Sequence, residues 1–295
     1  MSKKTLSVLT PNYNHAKYLP HAIEAVAAQS RVPDEYIILD DCSSDNSLQI
    51  ITEYQKKYPF LKCVKHEMNL GVIKGMQRLL AEASGDYLYF GAADDNVLPD
   101  FFESSMEMAE KYPGAGIIFG NIQLVDENEN EIGVSGIPEW KHPQFISPQR
   151  FLNEYLERYP VNHSLSGATI LKRVCVEETG GYRADLSSWC DTFAVRAIAL
   201  KYGACYIPRP FMRWRVLPGS VSNQSTKQIR KFLKNINKAA ELMRSKEFCD
   251  RFPVDHVRSF EKRYRRLILM NSLLANSGRF GLYLKKLYRI LRNSF

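Results

Sequence analysis

The first 120 residues alternate between short apolar runs and amphipathic segments. Each amphipathic segment repeats its apolar residues at helical spacing, as where Leu19, Ala22, Ile23 and Val26 share one face with Tyr18. The apolar runs are short and continuous, as in buried strands, and lie at 5–10, 36–39, 61–64, 87–90 and 116–120. Strands that alternate with helices predict an α/β fold with a mostly parallel sheet covered by helices on both faces.

The pattern changes in the second half of the chain. Residues 126–147 are polar and contain several Gly and Pro, so we expect a loop there. The segment 148–223 predicts two further helices and short strands around 168–171, 204–207 and 211–216. The remaining residues are helical in pattern and basic. We therefore expect an α/β domain over 1–223 and a basic helical C-terminal extension over 224–295.

The net charge of +8 hides an asymmetry between these two parts. Residues 224–295 carry 18 Lys and Arg against 5 Asp and Glu, whereas residues 1–223 carry 22 against 27. The helix predicted at 284–292 has leucines on one side and Lys285, Arg289 and Arg292 on the other. Such a helix can lie on an anionic membrane surface, or it can pack against the domain over 1–223. The chain has no nucleic-acid-binding motif, so we expect no nucleic-acid partner.

Apolar length and cysteine spacing indicate the cellular compartment. No run approaches the roughly 18 apolar residues of a membrane-spanning helix, and the run after Met1 is too short for a signal peptide. The six cysteines show no C-x-x-C spacing, so reduced thiols are expected rather than disulfides. We expect a cytoplasmic protein, peripheral on the inner face of the cell membrane if the basic helices bind lipid.

Three polar clusters each follow a predicted strand directly. They are the segment 11–14 (Pro-Asn-Tyr-Asn), Asp40-Asp41 and Asp94-Asp95. In parallel α/β sheets, ligands bind beyond the carboxyl ends of the strands. We therefore expect all three clusters to face one crevice.

These clusters, taken in order, resemble family 2 glycosyltransferases. The resemblance spans about residues 5–223, and its segments are 9–14, 40–45, 69–71, 84–87, 93–95, 180–182, Asp191 and 215–220. It implies a GT-A fold and transfer of a sugar, with inversion, from a nucleotide-diphosphate donor, expected to be a UDP-sugar. The implied acceptor is a glycan or lipid-linked glycan, as in surface polysaccharide synthesis.

The pair Asp94-Asp95 is the candidate metal site. A divalent cation can neutralise the negative charge that grows on a departing diphosphate, and one or two carboxylates suffice to hold it. The resemblance assigns Mn²⁺ or Mg²⁺ to Asp95, and the ribose or the waters of the metal to Asp94. Alternatively, the two acids only cap the helix near Pro99. Many relatives carry a third acid at the position of Ala92.

The resemblance also implies a nucleotide pocket. Thr10, Pro11 and Tyr13 would line it, an aromatic ring would stack on the base, and Asp41 would accept the imide N–H of uracil. Alternatively, Asp41 caps the next helix, although Asp45 is equally suited to that. Lys74 would place a positive charge near the diphosphate, unless it is an ordinary exposed lysine. Relatives often have an arginine where Met76 stands.

Asp191 is the candidate general base. An alcohol is a weak nucleophile at neutral pH, so a carboxylate must take the hydroxyl proton of the acceptor. In relatives, this acid begins a helix after a Gly-Gly-aromatic turn, which here is 180–182. The alternatives are that Asp191 is an N-cap or that Asp185 is the base. Trp189 could border the acceptor site or belong to the core.

Two rival functions remain open. A nucleotidyltransferase would need a Gly- and Lys/Arg-rich loop after the first strand, and residues 11–14 form no such loop. A catalytically inactive carbohydrate- or membrane-binding relative is compatible with the replacements at Ala92, at Met76 and at Leu217, which lies in a segment where relatives often carry a histidine.

Overall fold

The computed structural model describes residues 3–128, 130–159, 167–216 and 229–275. Within them, ten strands form one sheet: β1 Leu6–Asn12, β2 Glu35–Asp40, β3 Leu61–Lys65, β4 Tyr87–Phe90, β5 Asn96–Val97, β6 Ile117–Val125, β7 Glu131–Ser135, β8 Gln144–Ile146, β9 Thr169–Lys172 and β10 Ala204–Arg215.

The helices lie between and after these strands. They are α1 Leu19–Ala27, α2 Ser47–Lys57, α3 Val72–Glu82, α4 Phe101–Lys111, α5 Pro148–Arg150, α6 Arg173–Glu178, α7 Cys190–Tyr202, α8 Ile229–Met243 and α9 Val254–Ala275. A π-helical segment, Phe151–Leu156, continues α5, and a 3-10 segment, Ala184–Trp189, leads into α7.

The strand order is β3-β2-β1-β4-β9-β6-β10-β5. The first four strands are parallel, as the alternating pattern predicts. β9 is antiparallel to both β4 and β6, and β10 is parallel to β6, so β6 and β10 run in the direction of β4. The carboxyl ends of β1, β2, β4 and β10 consequently lie along one edge of the sheet.

Apolar clusters cover both faces of this sheet. Alternate residues of β2 point to opposite sides: Ile37 and Leu39 join one cluster, while Tyr36 and Ile38 join the other. Helices α1, α2 and α4 pack on the second cluster, and α3 and α6–α9 on the first. The sequence-based expectation of helices on both faces is confirmed.

The second half of the sheet departs from the expected elements. The segment 126–147, expected to be a loop, contains β7 paired with β6 and β8 paired with β10. β7 keeps Ile132 and Val134 exposed, so it carries no buried apolar stripe that a pattern could reveal. The two strands expected at 204–207 and 211–216 are one strand, β10, whose pairing with β6 shifts register around Pro210.

Helices α8 and α9 share an apolar core with the sheet and α7. The Trp189 ring lies 5.2 Å from Phe260 and 5.0 Å from Tyr264, and the Phe193 ring lies 5.0 Å from Phe248. For residues 229–275, the structure therefore has the packed arrangement rather than a free basic tail. The helix predicted at 284–292 and the expected boundary at 223 lie outside the described residues.

A partly buried polar cluster also holds α9 against the rest of the fold. Glu157 follows the π-helical segment, and its Oε1 lies 2.5 Å from Nδ1 of His256. Glu157 Oε2 forms an ion pair with Arg263 Nη2 at 2.9 Å. The backbone carbonyl oxygen of Glu157 accepts a hydrogen bond from the same guanidinium. None of the helices in the part of the chain that the structure describes has the length and apolar character to cross a membrane.

Candidate active site

The loops after β1 and β2 are joined by side-chain hydrogen bonds. Asn12 Nδ2 donates to Asp40 Oδ1 at 2.8 Å. Asn14 has a left-handed backbone with φ of 56°, and its Oδ1 accepts the backbone N–H of Ser44 at 2.8 Å. Its own N–H donates to Ser43 Oγ. Both asparagines are therefore structural, as expected for turn residues. We call residues 11–18, 40–47 and 91–96 the polar edge.

Asp41 forms hydrogen bonds with the segment that connects β3 to α3. Its Oδ1 lies 2.7 Å from His66 Nδ1 and accepts the N–H of Leu70 at 2.9 Å, while Oδ2 accepts the N–H of Gly71 at 2.8 Å. Burial raises the pKa of Asp41, but these hydrogen bonds outweigh burial and leave the pKa below its usual value. The hydrogen-bond partners of Asp41 all lie in the segment before α3. At the start of α2, it is Asp45 that accepts the backbone N–H of Ser47.

Three residues expected in the nucleotide pocket occupy different depths. Thr10 is buried, and its hydroxyl hydrogen-bonds with Tyr36, so it lies in the interior beneath the polar edge. Pro11 lies close to Gly75 of α3, because a Cβ atom added to Gly75 would lie only 3.7 Å from Cβ of Pro11. Tyr13 is 45% exposed and presents its ring to solvent. Of the three, Tyr13 is the one that offers an open aromatic surface.

Asp94 and Asp95 follow β4 at the same edge. The backbone N–H of Arg215, at the end of β10, donates to Asp95 Oδ1 at 3.2 Å. The Arg215 guanidinium stands 5.3 Å from the centre of the Tyr18 ring, which belongs to the loop after β1. Burial, and then the charge of Asp94, raise the pKa of Asp95 to about 7. The structure thus connects the loops after β1 and β4 with the end of β10.

The paired acids suit a cation that brings some of its own ligands. In the described ranges, no three His, Cys, Asp or Glu side chains converge on a common point. The raised pKa of Asp95 reflects burial first and the charge of Asp94 second, and Arg215 offsets these two effects only in part. A divalent cation would supply further positive charge. The residues fit a hard cation that completes its shell with waters and diphosphate oxygens, as Mg²⁺ does.

Asp191 is the second residue of α7, whose N-cap is Trp189 rather than Asp191. The backbone N–H of Thr192 donates to Asp191 Oδ1 at 2.6 Å, but burial dominates and raises the pKa of Asp191. The preceding turn reaches the polar edge, because the Tyr182 ring packs 4.7 Å from Phe90 at the end of β4. Asp191 therefore belongs to a segment anchored beside the carboxyl end of β4.

The remaining candidates are distributed as follows. Lys74 is exposed in the first turn of α3. Asp185 is exposed and pairs with Arg183 at 3.3 Å. Trp189 is buried between α7 and α9, with the Arg196 guanidinium 5.2 Å from its ring centre, so it belongs to the core and not to an open acceptor site.

Two departures from the family pattern have a structural reason. Cys190 stands where relatives often carry an acid before the candidate base. Cys190 is buried, and burial raises the pKa of its thiol to about 12, so an acid at 190 would lie in an apolar environment. Met76 packs against the apolar cluster of α3 and β2. Leu217 lies outside the described residues. Sequence reasoning missed His66, since a lone histidine after β3 shows no sign that it will meet Asp41, 25 positions earlier.

The family model for glycosyl transferase family 2 matches residues 7–178. The chain belongs to this family. The resemblance noted in the sequence and the expected GT-A fold are both confirmed, and the protein is a glycosyltransferase. It is 27% identical over 218 residues to an uncharacterised glycosyltransferase of Methanocaldococcus jannaschii, covering 73% of this chain and 72% of that protein. It is 34% identical to the putative teichuronic acid biosynthesis glycosyltransferase TuaG of Bacillus subtilis, over 36% of this chain and 42% of that protein.

Solved glycosyltransferases share the fold at low sequence identity. S. aureus TarS in complex with UDP-GlcNAc superposes with a TM-score of 0.71 at 17% identity, over 95% of this chain and 78% of that chain. The mannosyltransferase PcManGT of Pyrobaculum calidifontis, in complex with GDP-Man and Mn²⁺, gives a TM-score of 0.61 at 16% identity, over 99% and 81%. The similarity extends across the described part of this glycosyltransferase, including α8 and α9.

Proposed function

We propose that this glycosyltransferase transfers a sugar from a UDP-sugar, with inversion and with a divalent cation, to a hydroxyl of a glycan or lipid-linked glycan. The observation that carries the proposal is the acid pair at the end of β4, with Asp95 bound to the Arg215 N–H at the edge that also holds Asp41. The ligands named for TarS, UDP and UDP-GlcNAc, and for PcManGT, GDP-Man and Mn²⁺, support the donor class and the cation.

The donor site uses the polar edge. Tyr13 stacks on the base, and Asp41 Oδ2, which accepts one hydrogen bond from Gly71, keeps acceptor capacity for the imide N–H of uracil. Thr10 and Pro11 form the floor beneath the base. Lys74 in the first turn of α3 directs its ammonium toward the diphosphate.

Asp95 would hold Mn²⁺ or Mg²⁺, with Asp94 at the waters of the cation or at the ribose. When bound, the cation neutralises the charge that develops on the leaving diphosphate. The Arg215 N–H would help to orient the Asp95 carboxylate through its hydrogen bond to Oδ1.

Asp191 acts as the base. The carboxylate accepts the proton of the acceptor hydroxyl while the oxygen attacks the anomeric carbon from the face opposite the diphosphate. Burial raises its pKa from the usual value of 3.8, which makes the carboxylate a stronger proton acceptor than an exposed aspartate. The Thr192 N–H orients it through Oδ1.

We also propose the division into a catalytic domain over 1–223 and a C-terminal extension over 224–295 that works at an anionic membrane surface during polysaccharide synthesis. The outward side of α9 supports this, since Lys262, Arg265 and Arg266 are exposed there. Work at the inner face of the cell membrane would bring the enzyme to lipid-linked acceptors.

A donor screen tests the proposed function. Nucleotide sugars are compared by thermal shift with and without Mn²⁺, because a ligand that binds only the folded state raises the melting temperature. We expect one UDP-sugar to stabilise the protein when Mn²⁺ is present. Asp95→Asn should remove the metal-dependent part of the shift, while Asp255→Asn, whose side chain is 96% exposed, should retain it.

Two outcomes would contradict parts of the proposal. Metal-dependent donor binding that persists in Asp95→Asn would remove Asp95 as the metal ligand. If no nucleotide sugar binds and no nucleoside diphosphate is released over time, the inactive relative is the better description.

A further inference from the structure

A groove of about 740 Å³ lies between the 3-10 segment Ala184–Trp189 and α8. Its volume falls within the range of pockets that bind small organic ligands. The lining residues are Asp185, Leu233, Lys234, Asn237, Lys238 and Glu241. No step of the donor chemistry uses any residue of this groove.

The charges around the groove are mixed. Lys238 Nζ lies 3.2 Å from both carboxylate oxygens of Glu241. At the other wall, Arg183 lies between Asp185 at 3.3 Å and Glu247 at 3.5 Å. Donors and acceptors of hydrogen bonds therefore alternate over a short distance without an excess of positive charge.

This arrangement matches the hydroxyl groups of a neutral sugar. Each hydroxyl both donates and accepts, so neighbouring ammonium, amide and carboxylate groups can serve adjacent hydroxyls of one ring. A phosphate or sulfate has acceptors alone, and its site would need unpaired cations. The carboxylates of Asp185 and Glu241 would repel such an anion.

The groove is adjacent to the segment that carries the proposed base. Asp185 stands in the 3-10 segment that runs directly into Asp191. Ser187 in this segment has φ of 50° and ψ of −131°, a conformation unfavourable for a residue with a side chain. α8 packs against this segment, and Trp189 at its end is buried. A ligand in the groove therefore contacts a segment that is anchored in the core and continues into the helix that carries Asp191.

We propose that this groove is the subsite for neutral sugar residues of the acceptor glycan, which rests on the proposed glycosyl transfer. Asp185, Lys234 and Asn237 hydrogen-bond with sugar hydroxyls, and Asp185 serves recognition rather than proton transfer. The groove thereby selects an acceptor by its sugar units beyond the reacting hydroxyl.

The test measures sugar binding to the full chain by saturation-transfer NMR titration. The probes are chitotriose, cellotriose and mannotriose as neutral sugars, and glucose 6-phosphate as an anionic one. We expect at least one trisaccharide to bind. Asp185→Asn and Lys234→Ala should each weaken it about tenfold, the effect of losing roughly one hydrogen bond to a charged group. Lys56→Ala, at an exposed lysine of α2, is the matched control and should bind as the unchanged protein does.

Binding of glucose 6-phosphate alone, trisaccharide binding that neither substitution weakens, or no trisaccharide binding would each overturn the proposal. Nucleotide-sugar binding is measured in the same samples and should be unchanged in both variants. Failure of the donor function would instead appear as absence of nucleotide-sugar binding in the unchanged protein, so the two failures are distinguishable.

Discussion

The polar edge and the helical layer of α7, α8 and α9 are built by different forces. The loops of the polar edge are joined by hydrogen bonds that backbone N–H groups donate to side-chain oxygens, such as those of Asn14 and Asp41. The helical layer is held by aromatic contacts, with Trp189 against Phe260 and Tyr264. The polar edge must present free oxygens and N–H groups to a ligand, whereas the layer behind Asp191 needs only to be rigid. Asp191 lies where the two regions meet.

Asp191→Asn should have the largest effect and should separate catalysis from donor binding. We expect transfer to fall by about 10²–10⁴-fold, the usual contribution of a positioned base, while donor affinity stays unchanged because the polar edge is intact. Stability should not fall, since burial disfavours the charged carboxylate that is removed. Single-turnover transfer and donor titration measure the two quantities, with Asp255→Asn as the exposed control. If Asp185→Asn stops turnover and Asp191→Asn does not, Asp185 is the base.

Phe260→Ala tests whether the helical layer can be weakened without damage to the polar edge. The ring is buried and contacts Trp189, so its loss should cost about 3–5 kcal/mol of unfolding free energy. Hydrogen exchange should show lost protection in α9, while the amides of β1 and β2 stay protected and folded molecules still bind donor. Val254→Ala at an exposed position of the same helix should cost less than about 0.5 kcal/mol. Equal loss of protection in β1 would show that the two regions unfold as one unit.

The polar edge was accessible to sequence reasoning because its signals are local. Buried strands read as continuous apolar runs, and the polar clusters follow each strand directly, so Asp41 and Asp95 could be placed at one edge from strand direction alone. The apolar face of α1 was confirmed for the same reason, with Leu19, Ile23 and Val26 buried together.

The helical layer was not accessible in this way, because its contacts join distant segments. Glu157 meets Arg263 across 106 positions, and no local pattern distinguishes it from other exposed-looking acids. Trp189 could not be assigned to core or acceptor site until α9 was placed over it. β7 was missed because edge pairing, and not burial, stabilises it.

The smallest expected effect is a pH dependence of the docking of α9. His256 faces Glu157, with Arg196 and Arg263 nearby and the Phe252 ring stacked beside it. Burial lowers the pKa of His256, and Glu157 offsets this only in part. The unfolded chain therefore binds a proton more readily, so this contribution to stability is complete above pH 6.5 and declines as the pH falls from there toward the folded pKa.

His256→Asn, which cannot titrate, should reduce the decline in unfolding free energy between pH 6.5 and 5.5. The reduction can reach about 1.4 kcal/mol per pH unit, the limit for one proton. Urea unfolding at pH 7.5, 6.5 and 5.5 measures it, and His142→Asn, at an exposed position, should leave the decline unchanged. An unaltered decline in His256→Asn would mean that the pKa of the histidine is the same in the folded and unfolded protein, which would contradict this prediction. A steeper decline would mean that the folded protein holds the histidine protonated, because a protonated His256 would add stability as the pH falls. In that case the contact with Glu157 is a true ion pair, and the helical layer, like the polar edge, depends on charge for its assembly.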